Sequence, residues 1–227
     1  MNAPVVRSAP IVLSAPSGAG KTTIAKRLVG ALDDHFTFSV SATTRAPRER
    51  EVDGVDYHFV SREEFKLMID REELLEWADV HGEKYGTPAS YVEEAAARGQ
   101  HVMLDIDVQG ALQVQARTDD PILIFILPPS MEVLLSRLKG RGTESLQQLE
   151  RRLRNARAEI ARASEFDYLV VNDDIERSVE AVRVIAKAHQ ETLEYRMRPV
   201  LGHSTLIEDL TDGLDRVLFS EFASQDT

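Results

Sequence analysis

The sequence predicts an α/β protein, a parallel sheet covered by helices on both faces, and three observations predict it. Short apolar runs at residues 11–13, 102–104, 122–127 and 168–171 alternate with longer segments whose apolar residues recur every three to four positions. The run 122–127 is apolar throughout, as a central strand buried on both faces must be. Polar residues gather where the runs end, at the carboxyl edge at which such sheets bind ligands.

The first run, Ile11-Val12-Leu13-Ser14, leads into Ala15-Pro16-Ser17-Gly18-Ala19-Gly20-Lys21-Thr22-Thr23 and then into the helical pattern Ile24, Ala25, Leu28, Val29, Ala31, Leu32. Gly18 and Gly20 open backbone conformations closed to residues with a Cβ, so successive N–H groups can turn inward around phosphates. The positive end of the following helix adds to that field. Lys21 would reach the β- and γ-phosphate oxygens, and the Thr22 hydroxyl would ligate Mg²⁺. One position departs from the strict G-x-x-x-x-G-K-[ST] pattern: Ala15 stands where it asks for glycine. Ala15 is tolerable there if its φ is negative.

Phe36, Phe38 and Val40 alternate as in a half-buried strand, and a polar loop rich in arginine follows at residues 41–50. Asp53-Gly54 signals a tight turn, and residues 57–60 read as a hairpin strand. Ser61 with Glu64 forms a capping box before a helix carrying Phe65, Met68 and Ile69. Residues 74–77 read as extended, Gly82 and Gly86 as turn positions, and Ser90 with Glu93 as the cap of a helix reaching Gly99.

Residues 102–107 read as an apolar strand ending in two acids, Asp105 and Asp107, which alternation points the same way. Pro128-Pro129 stop the 122–127 strand, and a helix from Ser130 reaches Gly140-Arg141-Gly142. A helical period then holds over residues 143–160, with Arg151, Arg152, Arg154 and Arg157 off its apolar face. After the last strand and Asn172-Asp173-Asp174, a long helix is expected from Ser178, and Thr205 with Glu208 caps a final amphipathic segment.

Composition narrows the functional classes. A chain of 227 residues can bury a sizeable core, and 43% hydrophobic with 29% charged residues is ordinary for a globular enzyme. The net charge of -11 argues against general nucleic-acid or anionic-membrane binding, so phosphate binding must come from local basic clusters. No cysteine is present, which excludes disulfides, thiol nucleophiles and thiolate metal sites. Residues 1–10 hold one positive charge, Arg7, and no signal-like apolar stretch, and no run is long enough to span a bilayer; the expectation is a cytoplasmic protein. The six histidines form neither an i, i+4 pair nor an HExxH motif and read as surface or core residues. Arg45, Arg48 and Arg50 either pair with Glu49 and Glu51 or present guanidinium forks to a bound anion, and beside a phosphate loop the second reading is preferred.

Seven blocks occur in order: SVSATTRAPR from Ser39, GVDYHFV from Gly54, EWA from Glu76, KYGT from Lys84, LDIDVQG from Leu104, GRGTE from Gly140 and VNDD from Val171. Together with the phosphate loop they resemble the signature of the guanylate kinases, over residues from about 11 to about 185. The resemblance implies the phosphate-loop nucleoside monophosphate kinase fold and transfer of the γ-phosphoryl of ATP to GMP, with Mg²⁺. It divides the chain into a core at 1–37, 101–136 and 159–197, an inserted mixed α/β GMP-binding module at 38–100, a helical lid at 137–158 and a C-terminal extension at 198–227. It assigns ATP to residues 15–23, that is Ala15, Pro16, Ser17, Gly18, Ala19, Gly20, Lys21, Thr22 and Thr23, with Arg141 and Asn172.

It also assigns the GMP phosphate to Arg45, Arg48, Tyr57 and Tyr85, and guanine to Ser41, Glu76, Thr87 and Asp107. Thr22 and Asp105 would hold Mg²⁺, Asp105 directly or through water, and Lys21, Arg45, Arg137, Arg141 and Arg152 would carry the transfer. Arg154 and Arg157 read instead as surface arginines, and Asp173 as support for Asn172. The partners implied are ATP and GMP, with no nucleic acid and no membrane. Two rivals are a non-catalytic binding module of the same fold and a kinase for another phosphorylated small molecule. The first would be expected to have lost Lys21, Thr22 and Arg141; the second is disfavoured by Ser41, Glu76 and Asp107 together.

Overall fold

The computed structural model describes residues 8–30, 35–80, 82–139, 146–191 and 204–222. Arg7, Asp33-Asp34, Arg196, Arg198 and the Gly140-Arg141-Gly142 segment lie outside them. In chain order the elements are β1 (Ile11–Ser14), α1 (Lys21–Gly30), β2 (Phe36–Phe38), β3 (Ala42–Thr43), β4 (His58–Phe59), α2 (Arg62–Asp70), β5 (Leu74–Val80), β6 (Glu83–Pro88) and α3 (Ser90–Ala97). There follow β7 (His101–Asp105), α4 (Val108–Arg117), β8 (Ile122–Leu127), α5 (Met131–Lys139), α6 (Leu146–Ala161), β9 (Tyr168–Val171), α7 (Ile175–Glu191) and α8 (Ser204–Phe222). The fold is α/β, with parallel strand pairs in its main sheet. No described helix is long and apolar enough to cross a membrane.

The chain divides into two compact units, one of residues 1–12 and 28–122, the other of residues 13–27 and 123–227. In the first, β7 lies between β2 and the start of β1, and pairs with β2 in parallel from Phe36↔His101 to Phe38↔Met103. A second sheet in this unit has the order β4-β3-β6-β5, and Ala42, Phe65 and Leu74 form its core with Val60, Met68, Ile69 and Trp77 packed around them. The capping box is formed as expected: Ser61 Oγ accepts from Glu64 N, and the Glu64 carboxylate accepts from Ser61 N.

In the second unit β8 lies between the end of β1 and β9, with which it pairs in parallel from Ile124↔Tyr168 to Leu127↔Val171. Its residues 123–127 are wholly buried, as the apolar run requires. α6 buries Leu153, Ala156 and Ile160, and α8 packs on both α5 and α6 through a stripe at Leu210, Leu214, Leu218 and Phe222.

Five local expectations are corrected. Residues 57–60 do not form a hairpin: β4 pairs in parallel with β3, with His58 N donating to Ser41 O and Val60 N to Thr43 O. Gly86 is not in a turn but within β6, where a Cβ would come 3.0 Å from Phe65 Cζ and Glu76 O, so packing required the glycine. Ser90 is not a cap; α3 starts there after Ala89, which makes no side-chain cap bond. The strand of residues 102–107 ends at Asp105, because Asp107 turns to cap α4, its Oδ1 accepting from Gly110 N at 2.8 Å. α7 begins at Ile175, not Ser178, whose hydroxyl bonds back to the Asp174 carbonyl at 2.8 Å.

Candidate functional site

In the second unit, the loop after β1 turns through two residues in the left-handed region, Gly18 (φ 87°) and Gly20 (φ 97°). Among the described residues the non-glycine positions with positive φ are Glu72 and Asp120 and not Ala15, so the alanine is accommodated without strain. Ala19 N donates to Pro16 O at 3.0 Å, and Thr23 N and Ile24 N turn to Gly20 O as α1 begins. Lys21 opens that helix, while Thr22 and Thr23 are exposed on its first turn. The positive end of the helix dipole at this first turn favours an anion.

Residues distant in sequence hold the loop from behind. Asn172, at the end of β9 and 5% exposed, donates from Nδ2 to Ala19 O at 2.6 Å, while its Oδ1 accepts from Ser178 Oγ at 3.2 Å. Arg137 on α5 donates to Ala19 O at 3.3 Å and to Asn172 O at 3.4 Å. Arg152 on α6 donates to Leu138 O at 3.0 Å and to Ser17 Oγ at 3.1 Å. Two of the three expected lid arginines are therefore gathered on the phosphate loop; Arg141 lies outside the described residues. Arg154 pairs with Glu150, and Arg157 with Asp215, in agreement with their surface reading. Asp173 pairs with Arg177 rather than with Asn172.

The first unit holds a cavity of about 150 Å³, lined by Ser41, Tyr57, Glu76, Tyr85, Asp105 and Asp107, with Ala78, Val80 and Ile106 as apolar wall. Glu76 and Thr87 face each other across β5 and β6, and the Thr87 hydroxyl donates to Glu76 Oε1 at 2.6 Å. Glu76 is 4% exposed and Thr87 1%. A buried carboxylate that lines a cavity can accept hydrogen bonds from the donors of a ligand placed there.

Arg45 is held at four points. Its Nε donates to Tyr85 Oη at 3.1 Å, its Nη1 to Ala46 O at 2.7 Å, and its Nη2 to both oxygens of Glu51 at 2.9 Å. The guanidinium also lies over the rings of Tyr57 and Phe59, 5.5 and 5.7 Å from their centroids. The Arg48 N–H and, after it, the Arg45 side chain hold the Glu51 carboxyl below its ordinary range. Burial first, then the neighbouring Tyr85, pushes the Tyr57 hydroxyl up, so it remains a donor at neutral pH. The side chains of Arg48 and Arg50 are exposed.

Of the residues expected at the site, the cavity gathers Ser41, Tyr57, Glu76, Tyr85, Asp105 and Asp107, with Thr87 behind Glu76 and Arg45 on Tyr85. For Arg45 the less preferred reading, pairing with Glu51, is the one formed, both carboxylate oxygens accepting from Nη2. Sequence reasoning missed Ser178, whose contact with Asn172 depends on where a helix begins. Among the described residues no three or more His, Asp or Glu side chains cluster so as to hold a metal by themselves.

The guanylate kinase family model matches residues 7–189. The guanylate kinase of Chelativorans sp. (strain BNC1) is 47% identical over 209 residues, 92% of each chain. That of Rhizobium etli (strain ATCC 51251 / DSM 11541 / JCM 21823 / NBRC 15573 / CFN 42) is 50% identical over 181 residues, 79% of this chain and 82% of the relative. The crystal structure of guanylate kinase from Anaplasma phagocytophilum superposes with a TM-score of 0.67 at 33% identity, covering 90% of this chain and 96% of the other. The matched span takes in both the phosphate loop and the carboxylate-lined cavity, and with relatives of this identity over most of their length the chain belongs to the guanylate kinase family.

Proposed function

We propose that the chain transfers the γ-phosphoryl group of ATP to GMP, giving ADP and GDP by in-line attack of a GMP phosphate oxygen on the γ-phosphorus. The observation that carries the choice of acceptor is the Glu76 carboxylate, 4% exposed and lining a cavity of base-like size. Guanine offers donors at N1 and N2 to such a group, and O6 to a hydroxyl such as that of Ser41. Adenine reverses the pattern and would set an acceptor against a buried carboxylate, a mismatch that can discriminate by about 10⁴. Thr87 orients Glu76, and Asp107 adds a second acceptor at the cavity wall.

In this reading Arg45, Arg48, Tyr57 and Tyr85 take the GMP phosphate, within the module of residues 38–100. The loop of residues 15–23 takes the ATP phosphates, with Lys21 on the β- and γ-oxygens and Asn172 shaping the loop from beneath. Arg137, Arg141 and Arg152, in the lid of residues 137–158, neutralise charge as the phosphoryl group moves. No general base is needed, because the attacking oxygen is already anionic. The hydroxyl of Thr22 and the carboxylate of Asp105 are hard oxygen donors of the kind Mg²⁺ takes. A bound Mg²⁺ would screen the phosphate charges of ATP, with most of its ligands from phosphate and water.

A coupled assay of ADP release with GMP, AMP, CMP and UMP in parallel tests the proposal. Turnover with GMP far above the others is expected. Preference for AMP, or no turnover with GMP, would overturn it.

A further inference from the structure

We infer that Gln113 and Gly110, on one face of α4, are positioning residues for base selection, because they fix where the Glu76 carboxylate stands. The inference rests on the reading of Glu76 as the guanine-binding acid. β5 is an edge strand of its sheet, and it carries a bulge just before Glu76: the register passes from Leu74↔Pro88 to Glu76↔Thr87, leaving Leu75 extra. Bulges re-aim the side chains beside them, and an edge strand has backbone groups that no neighbouring strand meets.

α4 meets them instead. The Gln113 carboxamide pairs with the backbone of Trp77 as a strand would, Nε2 donating to Trp77 O at 2.8 Å and Oε1 accepting from Trp77 N at 3.2 Å. Arg117 Nη1 donates to the carbonyls of Leu74 and Leu75 at 3.4 and 3.3 Å. Glu76 is thus bracketed on both sides by bonds from the same helix. Gly110 completes the face, three residues before Gln113 and seven before Arg117. A Cβ on Gly110 would stand 2.5 Å from Glu76 Oε2 and 3.1 Å from its Cδ, so the carboxylate occupies space that only glycine leaves open. The same helix is capped by Asp107, which lines the cavity with Glu76. The α4–β5 pairing therefore sets the separation of the two acids, and with it the spacing of the acceptors presented to a base.

The test compares Gln113→Leu, Gln113→Glu and Gly110→Ala with wild type and with Glu76→Gln, measuring kcat and KM for GMP, IMP and ATP and the thermal midpoint. IMP lacks the N2 donor and so reports on acceptor spacing. Gln113→Leu and Gly110→Ala are expected to raise the KM for GMP about tenfold, the factor one lost hydrogen bond supplies, and to narrow the GMP to IMP preference, with the KM for ATP unchanged. Gln113→Glu, which keeps the acceptor for Trp77 N–H and loses the donor, is expected to fall between, and it decides the matter if Gln113→Leu does not fold. Unchanged GMP to IMP preference in the Gln113 and Gly110 variants, while Glu76→Gln alters it, overturns the inference and leaves the reading of Glu76 standing. Equal rises in the KM values for GMP and ATP overturn it as a general structural defect. Unchanged preference in Glu76→Gln overturns both.

Discussion

Asn172 Nδ2 donates to the Ala19 carbonyl at 2.6 Å, so the end of β9 holds the crown of a loop 153 residues away in sequence. With Ser178 donating to its Oδ1, the buried carboxamide is spent on structure as well as being next to the nucleotide loop. Asn172→Ala removes the shorter of two bonds to the Ala19 carbonyl, leaving the one from Arg137, and one acceptor of the Ser178 hydroxyl, which keeps the Asp174 carbonyl. A loss of about 0.5–1.5 kcal/mol in urea unfolding, with a raised KM for ATP, is expected. Asn172→Asp keeps the acceptor for Ser178 but sets a carboxylate against the Ala19 carbonyl, and should be no better. A variant with wild-type stability and ATP affinity would show the bond to be dispensable.

The loop glycines give a second expectation. A Cβ on Gly20 would fall 2.3 Å from Asn172 Nδ2, and its φ of 97° already disfavours any other residue. Gly20→Ala should therefore lose ATP binding by displacing Asn172 and reshaping the loop. Lys21→Ala, by contrast, should abolish turnover with the fold intact, since it removes the charge read as facing the β- and γ-phosphates. Circular dichroism beside the coupled assay separates the two. A Gly20→Ala protein as active as wild type would contradict the geometry.

Most strands and helices of both units, though not β3, β6 or α4, were legible in the sequence, as were the capping box at Ser61 and the loop glycines, because each is a local pattern: a period, a cap spacing or a turn residue. What was not legible depends on pairing across distance. Nothing local says that β4 joins β3 in parallel, or that Gly86 is set by Phe65 and Glu76 rather than by a turn. Asp107 was placed on a strand because alternation was extended two residues too far; its competing use as a helix cap is also local, but the two patterns overlap there. Gln113 had no signal at all, since its role comes from an edge strand whose bulge is fixed by a partner strand.

The ion pair between Arg45 and Glu51 persists into mildly acid solution. The Glu51 carboxyl is held below its ordinary range, by the Arg48 N–H foremost and then by Arg45. A depressed carboxyl contributes stability that is present above the unfolded pKa and is lost as pH falls through the folded one, so this pair stays intact at neutral and mildly acid pH. The group that titrates near pH 6 is the substrate phosphate, whose second ionisation lies at about that value. The KM for GMP should accordingly rise below about pH 6, and Glu51→Gln should retain that inflection. Loss of the inflection in Glu51→Gln would assign the titration to the protein.

α8 lies beyond residue 189, where the family match ends, and packs on α5 and α6. Besides the apolar stripe, two features join it to them, an ion pair between Arg157 and Asp215 and a close approach at Gly213, where a Cβ would come 2.8 Å from Met131 Cγ and 3.3 Å from its Cβ. Their weights differ. The side chains of Arg157 and Asp215 are 42% and 48% exposed, and an ion pair so open to water contributes at most about 1 kcal/mol. Gly213→Val must push the helix off Met131, and overpacking of this kind costs about 1–3 kcal/mol. Thermal unfolding should rank Gly213→Val as the more destabilising, with Asp215→Asn close to wild type and losing its small effect in high salt. Because α6 carries Arg152, which reaches Ser17, Gly213→Val should also raise the KM for ATP, whereas Asp215→Asn should not. The reverse ranking would mean that charge, and not the close approach at Gly213, holds the helix in place.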